Sequence, residues 1–251
     1  METKNYLNKQ AMEAIDPRTF RAEKPFPWVN PQDFILPDRY QELLDSMPEL
    51  SKFHASFGVE RKHGQASHDR YVLDYEEGME LSEPWEDFIL ELRSDSYRHF
   101  VARLLNVSSV RFRFHWHFTP NGGEVSPHCD SITKIGSQIF YLNTEEDWDH
   151  SWGGETVVLD DGGKIETGSS PEFDDFIAEY TAETRGNRSL IFGRRGNSWH
   201  GVRRINCPED RYRKVFIVVF EESRPVKMAF KRLRRLARGK PLVTEKEALM
   251  Y

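Results

Sequence analysis

Ser126-Pro127-His128-Cys129-Asp130-Ser131 and, much further along the chain, Ser198-Trp199-His200-Gly201-Val202 are the stretches on which the reading of this sequence turns. Alternate side chains of a strand face the same way, so His128 and Asp130 project together and Cys129 projects oppositely. A third ligand has to come from elsewhere in the fold. His200 begins an apolar segment after a polar turn and is the candidate. An isolated His-x-Asp carries little weight in a chain with nine His. Its surroundings carry the argument.

Two imidazoles and one carboxylate, binding one face of a metal and leaving its other positions open, are the ligand set of non-haem Fe(II) oxygenases. Residues 108–221 have the periodicity of strands. Arg111, Arg113, His115 and His117 alternate with Phe112, Phe114, Trp116 and Phe118, giving one cationic and one aromatic face, the aromatic one expected in the core. Strand-like runs follow at 135–143, 156–159, 189–192, 199–205 and 211–220, with Gly and Asn turns between them. Short strands so arranged suggest an antiparallel sandwich closed as a barrel. His115-x-His117 is a second candidate metal pair, ranked lower because no carboxylate or third His follows at a suitable spacing.

Five motifs then occur in order: Asn121-Gly122-Gly123-Glu124-Val125 leading into His128 and Asp130, Ile139-Phe140-Tyr141-Leu142-Asn143, Trp152-Gly153-Gly154-Glu155-Thr156, His200-Gly201-Val202, and Arg211-Tyr212. On these residues the segment 110–221 resembles the 2-oxoglutarate- and Fe(II)-dependent oxygenases of the prolyl 4-hydroxylase type. The resemblance implies a mainly β fold with flanking helices: a double-stranded β-helix, a jelly-roll or cupin-like barrel braced by N-terminal helices. It implies Fe(II) held by His128, Asp130 and His200, and 2-oxoglutarate as co-substrate with its far carboxylate on Arg211. Tyr141 and Thr156 would add hydrogen bonds and Val202 would pack on the co-substrate. Arg213 shares the strand face of Arg211 and competes for the same role. Phe118 stands where the family often has Tyr and would border the co-substrate.

The implied reaction consumes O2, with ascorbate as a reductant, and yields succinate and CO2 while hydroxylating an unactivated C–H. A small or carrier-tethered molecule is the expected substrate. Alternatives are a peptidyl-prolyl or other peptidyl residue, or a non-catalytic barrel that binds metal and 2-oxoglutarate as a sensor or scaffold. The carboxylate of Asp130 argues against the halogenating branch, which vacates that position for halide.

With 251 residues the chain suits a single oxygenase domain: 1–107 as helical support and lid, 108–221 as the barrel, 222–251 as a basic helix. The pattern Tyr40, Leu43, Leu44, Met47 predicts a helix from Pro37 to before Pro48. Trp85, Phe88, Ile89 and Leu92 predict another after Ser82, interrupted at Ser94 and continued by Phe100, Val101, Leu104 and Leu105. Pro25-Phe26-Pro27-Trp28-Val29 reads as extended. The polar segment 51–80, with His54, His63 and His68, reads as a surface loop or lid with solvated His. The acidic insertion 160–187 contains a short helical run, Phe173-Ile177-Tyr180, and either helps form the substrate mouth or is a solvated excursion.

The net charge of −6 gives no overall nucleic-acid footprint. Between Arg224 and Lys240 there are eight Lys or Arg and no acid. That stretch is expected to pack its apolar side on the barrel, with contact to an anionic surface as the alternative. Cys129 and Cys207 make no disulfide framework, so a reducing, cytoplasmic setting is expected. The N-terminus carries charge and lacks the apolar run of a secretory signal, and no eighteen-residue apolar stretch predicts a membrane span.

Overall fold

The computed structural model describes residues 4–61 and 64–222. Two short helices, α1 (Lys9–Ala14) and α2 (Pro17–Ala22), open the chain. Their starts are set locally. The Asn8 side chain accepts from two backbone N–H groups of α1, and Asp16 accepts from Thr19 N ahead of a first-turn proline. Strand β1 (Trp28–Val29) follows, then α3 (Pro37–Asp45), β2 (His54–Ser56), β3 (Arg70–Asp74), α4 (Glu83–Leu92) and α5 (Asp95–Leu105). Ser94 caps α5 through Tyr97 N, and Asn106 ends it in the left-handed conformation.

The barrel strands are β4 (Val110–Thr119), β5 (Val125–His128), β6 (Lys134–Tyr141), β7 (Thr156–Asp160), β8 (Ala178–Thr181), β9 (Ser189–Gly193), β10 (His200–Val202) and β11 (Arg213–Glu222). They form a seven-stranded sheet in the order β1-β9-β6-β11-β4-β3-β2 and a four-stranded sheet in the order β5-β10-β7-β8. Every pairing between named strands is antiparallel. The sheets meet through their inner faces. Val158 of the small sheet packs with Ile139, Tyr141, Leu190, Phe192 and Val215 of the large one, and the Phe192 and His200 rings lie 4.7 Å apart. This is the double-stranded β-helix expected from the sequence.

Period-two alternation decides which side chains enter it. Phe114, Trp116, Phe118, Phe140, Phe216, Val218 and Phe220 face outward from the large sheet. There they bury Trp85, Phe88, Phe100, Val101 and Leu104 of α4 and α5, the bracing that the helical patterns predict. Phe216 is wholly buried, with the rings of Trp85, Phe88, Phe114, Trp116 and Phe140 all within 6.3 Å of its own. Removing a ring from such a site loses transfer energy and leaves a cavity. Phe216→Ala is therefore expected to destabilise the chain by about 3–5 kcal/mol, read as a lowered urea midpoint at unchanged slope.

Several expectations are corrected. Residues 51–80 are no free loop: β2 and β3 extend the large sheet beyond β4, with Val72 paired to His117. The short apolar run Tyr71-Val72-Leu73 is what drives that pairing. Residues 160–187 hold a 3-10 turn at Phe173–Asp175 and strand β8 rather than a helix, and Ile177 stays exposed. The strand expected at 211–220 begins two residues later, because Arg211 N closes a turn on Pro208 O. His63 and the basic stretch 224–240 lie outside the described residues. Among the described residues, no helix is long and apolar enough to cross a membrane.

Candidate active site

Antiparallel pairing of β5 with β10 sets His128 directly opposite His200, and Asp130 follows two residues after the end of β5. One ligating atom from each of the three lies within 4.8 Å of the others. The imidazoles are pre-oriented in the same way. His128 Nδ1 lies 3.0 Å from Ser126 O and His200 Nδ1 lies 2.9 Å from Ser198 O. A carbonyl only accepts, so each Nδ1 is the protonated nitrogen, and each Nε2 keeps its lone pair for a metal. Lys134 Nζ donates to Asp130 Oδ1 at 2.7 Å, leaving the second carboxylate oxygen for an ion.

Protonation states suit a cation. Burial and the neighbouring His200 hold His128 down at about 3, and burial also lowers His200 against the opposing pull of Asp130. Burial alone would raise Asp130, but Lys134 and the two imidazoles outweigh it and hold the carboxyl well below its usual range. Two neutral imidazoles and a carboxylate are the state in which this donor set binds a divalent metal.

Further along the same interior wall, Arg213 is buried, and its guanidinium carbon lies 5.6 Å from the centre of the Tyr141 ring. Arg213 Nε donates to Gly154 O and Nη2 donates to Thr156 Oγ1 at 3.0 Å. Tyr141 OH reaches the same Thr156 oxygen at 2.9 Å. Gly154 has φ +92°, and a Cβ there would stand 3.1 Å from Arg213 Cδ, so glycine lets the turn close over the arginine. Val202 pairs with Thr156 as His200 pairs with Val158, which puts Thr156 and Val202 one strand repeat from the ligand cluster on the same inward faces. Among the described residues no carboxylate hydrogen-bonds Arg213; Glu155 acts on it only at a distance.

The structure thus brings His128, Asp130, His200, Tyr141, Thr156, Val202 and Arg213 together. Arg211, the first candidate for the co-substrate's far carboxylate, is not among them. It lies in the exposed turn before β11, and Asp210 is its 3.9 Å ion-pair partner. Phe118 is also elsewhere. It alternates with inward-facing His117, so it points outward onto Phe53, 4.4 Å between ring centres. His115 and His117 face inward as a stacked pair 4.5 Å apart, but they are not part of the metal-competent group. Reading the polar 51–80 segment as a loop hid three more inward groups. His68 is buried with its ring 5.1 Å from that of His128, and Arg61 and Arg70 lie beside it.

Burial, reinforced by Lys134, Arg113 and Arg70, holds His115 at about 3 against an ordinary 6.5. Between these values the unfolded chain binds a proton that the folded chain refuses. Stability is then full above pH 6.5 and falls as the pH drops toward 3, by at most ~1.4 kcal/mol per pH unit from this one group. Urea midpoints between about pH 7.5 and 5 should fall more steeply in the wild type than in His115→Gln.

Comparison with known proteins fits this geometry. Residues 113–220 match the family model of the 2OG-Fe(II) oxygenase superfamily. No curated protein matches the chain by sequence. Among solved structures, a prolyl-4-hydroxylase of Pseudomonas putida is similar at 18% identity and TM-score 0.53, covering 78% of this chain and 92% of its own. A prolyl hydroxylase of Trichoplax adhaerens, solved with a hypoxia inducible factor peptide, is similar at 12% identity and TM-score 0.56, covering 80% and 86%. SnoK, a non-heme alpha ketoglutarate dependent carbocyclase from nogalamycin biosynthesis, is similar at 14% identity and TM-score 0.55, covering 95% and 94%. These likenesses show the fold. Oxygenases of this superfamily use Fe(II) and 2-oxoglutarate, and the domain here has a donor set for the first and a buried cationic clamp of the right chemistry for the second.

Proposed function

We propose that this chain is an Fe(II)- and 2-oxoglutarate-dependent dioxygenase that hydroxylates an unactivated C–H of a small or carrier-tethered molecule, releasing succinate and CO2. One observation carries the reading: His128, Asp130 and His200 share a barrel interior with a buried arginine tied to Thr156 and Tyr141. In it, His128, Asp130 and His200 hold the iron, and Arg213 replaces Arg211 as the partner of the co-substrate's far carboxylate. A guanidinium suits that role because it stays charged when buried and presents a fork of donors. Iron with 2-oxoglutarate supplies the oxidising chemistry once bound.

The chain's own residues do the positioning. The carbonyls of Ser126 and Ser198 fix both imidazoles, Lys134 fixes the carboxylate, and Thr156 links the Tyr141 hydroxyl to the arginine. Val202, Val158 and Phe192 give the interior apolar walls that exclude water. The small-molecule reading draws support from SnoK, which covers more of this chain than either prolyl hydroxylase does. A peptidyl substrate is the alternative that the Trichoplax peptide complex keeps in view. The unpaired state of Cys129 and Cys207 is consistent with a reducing, cytoplasmic setting.

The test is succinate formation by the full chain given Fe(II), 2-oxoglutarate, O2 and ascorbate. It is run alone and with pools of free amino acids, carrier-tethered acyl groups and proline peptides. Stimulation by one pool names the substrate class, and oxygen-18 from O2 in the product separates hydroxylation from epimerisation or ring closure. Iron and 2-oxoglutarate binding with no succinate under any condition would leave a sensor or scaffold in place of an enzyme.

A further inference from the structure

The inward face of β3 and the chain before it bring cations to the ligand cluster that neither iron nor 2-oxoglutarate accounts for. Arg70 Nη1 donates to His68 O at 2.5 Å, and His68 Nε2 is 3.2 Å from Ser126 Oγ, two residues before His128. Arg61 is close enough to Asp130, His128 and His68 to act electrostatically on all three. The Nε–H groups of both Arg61 and Arg70 are buried with no hydrogen-bond partner among the described residues. Leaving such a donor buried and unpaired is unfavourable.

The carboxylates nearby act on these arginines only at a distance. Asp69 accepts from Gly58 N and Ser67 Oγ, Asp130 takes Lys134, and Asp74 is largely exposed, 3.9 Å from His115. At the far end of β4 the same strand face is handled differently: Arg111 and Arg113 are both tied to Glu221. Arg70 is also distinct from the Arg213 clamp. It sits on β3, with β4 between it and β11, and the two arginines act electrostatically on His117 of β4.

We propose that the substrate carries an anionic group, a carboxylate or a phosphate, and that Arg61 and Arg70 receive it beside the His128–Asp130–His200 cluster. The planar guanidinium fork matches both oxyanions, and two such forks at the metal fix which C–H is presented. This rests on the oxygenase reading and narrows its substrate class.

The experiment titrates acetate and, separately, methyl phosphate into the full chain loaded with Fe(II) and 2-oxoglutarate under argon, by calorimetry. Saturating 2-oxoglutarate keeps either anion from Arg213. Binding of one anion names the source, and binding of both indicates recognition by charge. Arg61→Gln and Arg70→Gln are each expected to weaken that binding at least roughly tenfold, the loss of one charge-assisted contact, with Arg61→Lys recovering part of it. Exposed Arg18→Gln should change nothing. Iron and 2-oxoglutarate uptake, read first from the visible spectrum, verifies that each variant is folded. Should Arg70→Gln not fold, Arg61→Gln decides alone. Absence of binding by both anions, or binding unchanged in the folded variants, overturns the proposal. A wild-type chain that takes up neither iron nor 2-oxoglutarate fails at the earlier step; the oxygenase reading falls there, and this proposal with it.

Discussion

His200→Ala is expected to abolish iron uptake and 2-oxoglutarate-dependent succinate formation in a chain that still folds. The side chain lies on a three-residue strand and faces the interior, so its loss removes a donor without opening the helix-backed core. A trimmed set of one imidazole and one carboxylate no longer closes a face of the metal. The loss should exceed the roughly 10–100-fold that removing an outer-shell partner costs in affinity or activity. Asp130→Ala should do the same and also leave Lys134 without its partner. Iron stoichiometry and succinate yield are the two measurements. Near-wild-type values of both in either variant would falsify the assignment of the metal site.

Arg213→Leu should raise the Kd for 2-oxoglutarate by about 10²–10⁴, while Arg211→Ala leaves it within about a factor of two. Removing one member of a buried ion pair costs about 3–5 kcal/mol, because the other charge stays desolvated and unpaired. Arg213 is buried and bonded to Gly154 and Thr156; Arg211 is exposed, and surface substitutions away from special features stay within about 0.5 kcal/mol. Arg213→Lys keeps the charge but loses the fork, so its Kd should fall between those of the wild type and Arg213→Leu. Titration of the iron-loaded protein with 2-oxoglutarate checks all three. Reversal of the order, with Arg211→Ala the damaging change, would return the anchor to Arg211.

How far the amino-acid order reaches can be judged from particular residues. The ligand cluster was readable because its signals are local. A His-x-Asp at a strand end and a second His after a polar turn are chemistry written in consecutive residues, and the motifs around them repeat a family's pattern. The helices from Pro37 and Glu83 were readable because a 3.6-residue apolar period needs nothing but its own segment. The helices α1 and α2 were missed, although Asn8 and the Asp16-Pro17 start signal them, because six residues hold too little periodicity to stand out.

By itself, then, the order of residues determined which side chains could bind a metal and which elements could form, since both depend on neighbours along the chain. Only the folded barrel decided between Arg213 and Arg211, turned Phe118 away from the interior, and set Arg61, His68 and Arg70 beside the ligands. Those outcomes hinge on where a turn hands over to a strand. Arg211 and Arg213 have the same strand parity, so the start of β11 at Arg213, set by pairing with Thr119 of β4 and not by local preference, is what leaves Arg211 in the turn.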